Sequence, residues 1–108
     1  MIGGLTQKDR ELINQTLEKY PLIRQVRLFG SRAKGNHKPG SDVDLALFDH
    51  NLKGTTKELE SILPSLADDL DGLTLPYFFD LVIYNTIDNE RLKEHIDRVG
   101  ITWYKRVE

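Results

Sequence analysis

Two aspartates, Asp42 and Asp44, are the residues whose type and spacing point most directly to chemistry. They open a predicted strand, and because alternate strand residues share a face, their Cβ atoms should lie roughly 6.5–7 Å apart on one side of a sheet. Carboxylates so placed can converge on one or two divalent cations, a standard device for nucleotidyl transfer. Magnesium favours a few carboxylates together with substrate phosphates. The solvent face of an edge strand is the alternative interpretation.

A third carboxylate, Asp80, lies inside the apolar run Tyr77–Tyr84. An ionised side chain in such a run is costly unless it is paired or binds a metal. If Asp80 shares a sheet face with Asp42 and Asp44, the three carboxylates converge on one site. The alternative is a structural aspartate that pairs with a nearby arginine.

Gly30 and Ser31 directly follow a predicted strand and form a candidate phosphate-binding turn. Glycine lets the backbone approach an anion closely, and N–H groups at a turn or helix start bind phosphate oxygens. Arg32 and Lys34 can neutralise phosphate charge. A plain turn would also show Gly-Ser, but here ten residues, 32–41, separate it from Asp42. The combination predicts a phosphate-plus-metal site.

The surrounding pattern predicts an α/β fold, a small mixed β-sheet with helices packed on it. We expect the third strand to be central and covered on both faces, and Pro64 to kink or split its helix. The predicted elements are a helix from Thr6 that ends at Pro21, a strand Gln25–Phe29, a loop or helix with Gly35, Pro39 and Gly40, a strand Asp42–Phe48, a turn Asp49–Gly54, a helix Thr56–Leu70, a strand Tyr77–Tyr84, a helix Asp88–Val99, and a strand or ordered tail Ile101–Val107.

Length and composition set the class of protein. A chain of 108 residues predicts one domain, 1–108, without a separate substrate-binding domain. The sequence has no cysteine, secretory signal or long apolar run, so we expect a cytoplasmic protein without a membrane anchor. The net charge of −2 argues against strong nucleic-acid binding. Positive charge is nevertheless concentrated between Arg24 and Lys38, around the candidate phosphate turn.

The three histidines, His37, His50 and His95, do not have the spacing of metal ligands. We interpret them as surface or helix residues. His37 alone is close enough in sequence to the turn to contact a phosphate.

The segment Gly-Ser-Arg-Ala-Lys-Gly, followed by Ser-Asp-Val-Asp-Leu-Ala, resembles the nucleotidyltransferases of the DNA polymerase β superfamily. It is especially similar to the minimal nucleotidyltransferases, the MNT or MntA-like antitoxins. The resemblance implies a polymerase β palm-like fold in which Gly30 and Ser31 hold the phosphates of ATP. It implies further that Asp42 and Asp44 bind Mg²⁺, with two ions expected, and that Asp80 is the third carboxylate near the acceptor hydroxyl.

Short chains of this family are commonly encoded beside a HEPN-domain RNase toxin. The resemblance therefore implies transfer of AMP from ATP to a hydroxyl, a tyrosine first of all, of such a toxin, in a type VII-like toxin–antitoxin pair. Two alternatives stay open. The chain could neutralise a toxin by binding alone, or it could transfer a nucleotide to RNA or a small molecule.

Overall fold

A computed structural model describes residues 2–48 and 57–106. Its elements follow the predicted order, and the segment after the first strand is a short helix. None of the described helices is long and apolar enough to cross a bilayer. Three parts of the predicted elements lie outside the described residues: the turn Asp49–Gly54, Thr56 at the start of the predicted helix Thr56–Leu70, and Val107. The elements are α1 (Gln7–Glu18), β1 (Gln25–Phe29), α2 (Gly30–Lys34), β2 (Val43–Phe48), α3 (Lys57–Asp71), β3 (Phe79–Ile83), a 3-10 turn (Tyr84–Thr86), α4 (Glu90–Val99) and β4 (Ile101–Lys105).

The four strands form one mixed sheet in the order β3-β2-β1-β4, which confirms the predicted fold class. β1 is antiparallel to both of its neighbours, whereas β2 and β3 are parallel. The prediction of a central third strand is wrong, because β3 lies at one edge. Its apolar side chains are covered by the two layers above and below the sheet: Phe79 and Leu81 pack against one core and Val82 against the other.

The larger core lies on the side of the sheet that carries α1 and α3. Leu28 of β1 and Leu45 of β2 are fully buried there, and each such side chain stabilises the fold by roughly 1.5–3 kcal/mol. The predicted first residue, Thr6, is the N-cap of α1: its hydroxyl accepts from the Asp9 N–H at 3.0 Å, and the Asp9 carboxylate accepts from the Thr6 N–H at 3.2 Å. This capping box contributes about 1 kcal/mol.

α3 is a single helix that contains Pro64, so of the two predicted outcomes, a kink or a split, the split does not occur. Leu59, Leu66 and Leu70 form its buried stripe and hold the helix against the sheet. Pro64 is on the exposed side, where the carbonyl of Glu60, left without its usual N–H partner, is open to water. The apolar stripe therefore outweighs the loss of one helical hydrogen bond.

The opposite face of the sheet carries a smaller core, built by α4 on Phe29 and Ala46. Asn89 caps α4 by accepting from the N–H groups of Arg91 and Leu92 at 3.0 and 3.2 Å. Ile96 is the fully buried anchor of the helix. Because side chains alternate along β2, Asp44 faces this side while Leu45 faces the larger core. The candidate site therefore lies on the α4 face, where β1 ends and β2 and β3 begin.

Candidate active site

Asp44 lies at the centre of the candidate site. The sheet register pairs it with Phe29 on one side, directly before Gly30, and with Asp80 on the other. Its side chain is half-buried. Desolvation, together with the negative charges of Asp80 and Asp42, raises the pKa of Asp44 to about 6. Arg32 acts in the opposite direction but does not offset them. The surroundings of Asp44 within the protein therefore disfavour its charged form.

Asp80 lies beside Asp44 on the neighbouring parallel strand, and its negative charge contributes to the raised pKa of Asp44. Neighbouring strands are about 4.8 Å apart, which places these side chains within reach of one ion. The structure corrects one expectation, since Asp80 is exposed rather than buried in an apolar run. Asp42 is also exposed and lies one residue before β2, not within it. Of these two acids, Asp80 raises the pKa of Asp44 more than Asp42 does.

The three aspartates do not form a ready-made metal cage. Within residues 2–48 and 57–106, no three His, Cys, Asp or Glu side chains are arranged to hold a metal ion. The donor set nevertheless fits Mg²⁺, which uses one or two carboxylates and completes its shell with water and substrate phosphates. The raised pKa of Asp44 fits the same cation, because a divalent charge would relieve the repulsion among the carboxylates.

Gly30 makes the close approach between the phosphate turn and Asp44 possible. Its φ of +74° is in the left-handed region, which glycine occupies without strain. A Cβ at this position would overlap the Asp44 carboxylate. The positive φ and the short distance to Asp44 both require glycine. They bring the start of α2 next to Asp44.

Ser31 and Lys34, the other residues predicted to bind phosphate, both lie on α2. Ser31 is half-buried in the first turn of α2, where backbone N–H groups have no partner within the helix. Lys34 is exposed in the last turn. Their phosphate-binding roles remain predictions.

Arg32 makes loop contacts that the sequence did not predict. Its side chain is only 3 % exposed. Nε and one terminal nitrogen donate to the carbonyl of Ser41 at 3.1 and 2.9 Å, and the other terminal nitrogen donates to the carbonyl of Gly3 at 2.7 Å. The guanidinium also lies 4.7 Å from the centre of the Tyr77 ring. Arg32 therefore anchors the loop that leads into Asp42, and its predicted role in neutralising phosphate charge stays a prediction.

His95 contacts the site although the sequence interpretation left it out. Its Nε2 accepts the N–H of Gly30 at 3.1 Å, across 65 residues of sequence. The signal available in the sequence was its place on α4, since His95 shares the helical stripe of Leu92, Ile96 and Val99. His37, by contrast, is half-buried near Gly4, and His50 lies outside the described residues.

The sequence of this chain matches a known family over most of its length. Residues 11–108 match the family described as Polymerase beta, Nucleotidyltransferase. The chain belongs to this family. No curated protein sequence matches it. The resemblance recognised from the Gly-Ser and Asp-x-Asp motifs is therefore confirmed, and the nucleotidyltransferase fold is the one that the sheet order and helices display.

Solved structures of toxin–antitoxin complexes contain chains with a similar fold. A chain of a toxin–antitoxin crystallised with AMP-PNP is 22 % identical, with a TM-score of 0.65 over 90 % of this chain and 73 % of that one. A chain of the MntA-HepT toxin–antitoxin is 20 % identical, with a TM-score of 0.62 over 94 % and 74 %. A chain in the structure of a tri-AMPylated Shewanella oneidensis HEPN toxin in complex with MNT antitoxin gives the same identity, TM-score and coverage as the MntA-HepT chain. At these identities the likeness concerns the fold.

Proposed function

We propose that this nucleotidyltransferase-fold chain transfers AMP from ATP to a protein hydroxyl in a Mg²⁺-dependent reaction. The observation that carries the proposal is the position of Asp44, held between the Gly30 turn and Asp80, with its pKa raised by desolvation and by the neighbouring acids. A candidate phosphate-binding turn beside neighbouring carboxylates fits a nucleoside triphosphate with its cations.

Each residue of the site has a role in this reaction. Asp42, Asp44 and Asp80 would hold Mg²⁺, two ions in the full site, which when bound offsets phosphate charge and lowers the pKa of the acceptor hydroxyl. Ser31, at the first turn of α2, would bind the phosphates, and Gly30 lets that turn approach Asp44. Lys34 would add positive charge from the last turn of α2.

The chemistry is an in-line displacement at the α-phosphorus of ATP. The acceptor oxygen forms a bond to the α-phosphorus, the bond to the bridging oxygen breaks, and pyrophosphate leaves. The acceptor proton passes to the Asp80 carboxylate, which is exposed at the sheet edge and so accessible to a second molecule. The contribution of the protein is mostly positioning and charge.

The acceptor that we propose is a HEPN-domain toxin, with a tyrosine hydroxyl as the first candidate. Two observations support this choice. Asp80 is exposed on β3, which lies at an edge of the sheet in the part of the chain that the structure describes, so it is accessible to a second molecule. A similar fold occurs in a complex with an AMPylated HEPN toxin. The resulting pair would be a type VII-like toxin–antitoxin system.

A labelling experiment tests the proposal. The protein is incubated with α-labelled ATP, Mg²⁺ and the HEPN-domain product of the adjacent gene. We expect label on the partner, lost in Asp42→Asn and Asp44→Asn but kept in Asp71→Asn, a matched change at an exposed aspartate of α3. A tight complex without label would instead indicate neutralisation by binding, and label on RNA or a small molecule would indicate a different acceptor. The absence of a neighbouring HEPN gene would contradict the choice of partner.

A further inference from the structure

His95 connects α4 to the turn that leads into α2. The Gly30 N–H donates to its Nε2 at 3.1 Å, and the imidazole lies edge-on to the Phe29 ring with 6.1 Å between centroids. The side chain is half-buried between the helix and the end of β1. Two contacts therefore fix the ring, one from the backbone and one from an aromatic neighbour.

The hydrogen bond defines the state of the imidazole. Because Nε2 accepts, the proton of the neutral ring is on Nδ1. Burial lowers the pKa of His95, and the positive charges of Lys34 and Arg98 lower it further. These surroundings favour the neutral ring at pH 7, which is the form that can accept the Gly30 N–H.

Gly30 is held from two sides. Its N–H contacts His95, and its Cα lies so near Asp44 that a Cβ would overlap the carboxylate. A displacement of Gly30 would therefore change its hydrogen bond to α4 and its approach to Asp44 together. In addition, the N–H of Gly30 is already engaged, so a phosphate would meet the groups that follow it, beginning with the N–H and hydroxyl of Ser31.

We propose that His95 is a positioning residue of the nucleotide site, which fixes the start of α2 relative to Asp44 so that Ser31 is presented to the phosphates. The inference rests on the proposed function, since it assigns a role within that same site. His95 contacts Gly30 rather than a reacting atom, and it acts through the turn.

A set of variants separates positioning from general packing. His95→Leu removes the acceptor while it keeps apolar volume. His95→Gln retains one, because the Gln side-chain oxygen lies about as far from Cβ as Nε2 does in histidine. Leu92→Ala is the matched control, since Leu92 packs in the smaller core on the same helix and its side chain cannot accept a hydrogen bond.

The direct readout is the Gly30 amide in two-dimensional NMR, together with the affinity for Mg²⁺ and AMP-PNP. In His95→Leu we expect the Gly30 amide proton to lose its hydrogen-bonded shift and affinity to fall about tenfold, the scale of one hydrogen bond with its buried donor left unpaired. His95→Gln should restore affinity to within about threefold of the wild type. Leu92→Ala should lower the melting temperature and leave affinity unchanged.

The outcomes distinguish this inference from the proposed function. If wild-type protein does not bind the nucleotide, the proposed function fails. If the wild type binds and His95→Leu binds equally well, or if the Gly30 amide is unchanged in that variant, the role of His95 is contradicted. A loss of affinity in both His95→Gln and Leu92→Ala would indicate general destabilisation and would also overturn the inference.

Discussion

On the β1–α2 side of Asp44, neighbouring groups hold the site in place, whereas on the β3 side the groups face solvent. The Gly30 N–H is bound by His95, and Arg32 is 3 % exposed with its nitrogens on backbone carbonyls. Across the site, Asp80 is exposed on an edge strand, and Phe78 directly before that strand is 77 % exposed. A preformed side suits a small, repeatedly bound ligand, and an open side suits a macromolecular acceptor.

The backbone links these two sides. The Phe78 carbonyl accepts the Val43 N–H at 2.8 Å, next to Asp42. Moving across the sheet from β1 to β3, the chain thus presents the Gly30 turn, then the carboxylates, then an exposed aromatic side chain. This order matches the order of groups in the proposed reaction, which runs from triphosphate to cations to acceptor.

The largest expected effect comes from Asp44→Asn, which removes the group shared by both sides. Transfer should fall by at least about 100-fold, because a charge that positions the cations is lost. The stability of the Asp44→Asn variant, by contrast, should be higher than that of the wild type. The folded-state pKa of about 6 exceeds the ordinary value of 3.8, so the folded protein binds the proton more tightly.

The sign of the pH dependence follows from that difference. Metal-free wild-type protein should lose stability as the pH rises from about 4 to 6, with the full penalty present at pH 7. After allowance for solvent screening of a half-buried group, the penalty is about 1 kcal/mol. Thermal melts between pH 4 and 8 should show this slope in wild type and Asp71→Asn but not in Asp44→Asn. A wild-type slope of opposite sign would contradict the account.

Gly30→Ala should disturb only the β1–α2 side of the site. The new Cβ would overlap the Asp44 carboxylate and would also occupy a left-handed conformation, which costs about 1–2 kcal/mol. Gly40→Ala is the matched control, since Gly40 has a φ of +84° but no atom within 4 Å of the added Cβ. Both variants should melt at lower temperature, and only Gly30→Ala should lose nucleotide binding in calorimetry. Equal binding by both would show that the contact with Asp44 is unimportant.

Arg32→Met tests whether this arginine anchors the loop or binds phosphate. Loss of its hydrogen bonds would leave the Ser41 and Gly3 carbonyls unpaired, and we expect a stability loss of about 2–3 kcal/mol in denaturant unfolding. Lys34→Met is the comparison, because Lys34 is exposed and should affect nucleotide affinity more than stability. An Arg32→Met protein of wild-type stability with weakened nucleotide binding would restore the phosphate-binding role.

Phe78→Ser is the mildest change, and it is confined to the open side. Stability should stay within about 0.5 kcal/mol, because the exposed ring buries little surface. Nucleotide affinity should not change, whereas KM for the protein acceptor should rise about fivefold if the ring contacts it. Steady-state labelling at varied concentrations of the acceptor and of ATP measures the two KM values separately. A rise in KM for ATP instead would place Phe78 on the nucleotide side.

The sequence predicted those parts of the fold that depend on local pattern. The first helix beginning near Thr6, the helix that contains Pro64 and the turn at Gly30 depend on signals carried by residues close in sequence. The position of β3 was missed because strand order depends on pairing between distant segments. An apolar run covered by two layers of helices has the same composition at an edge as at the centre.

The same difference between local signals and contacts of distant segments applies to the candidate site. The Gly-Ser and Asp-x-Asp motifs predicted a single site, and the structure places Gly30 beside Asp44. The contacts of Arg32 and His95 depend on backbone groups of Gly3, Ser41 and Gly30, and a list of side chains does not reveal such partners. Charge near the Gly30 turn therefore predicted a phosphate contact for Arg32 but not its role as a loop anchor.

Calorimetric titration of the isolated chain with AMP-PNP tests the central claim most directly, because it asks whether the β1–α2 side and its carboxylates form a nucleotide site without an acceptor. The account predicts binding of one nucleotide per chain that requires Mg²⁺, disappears in Asp44→Asn and Gly30→Ala, and persists in Phe78→Ser. Binding that is indifferent to Mg²⁺ and to Asp44, or no binding until a partner protein is added, would contradict it.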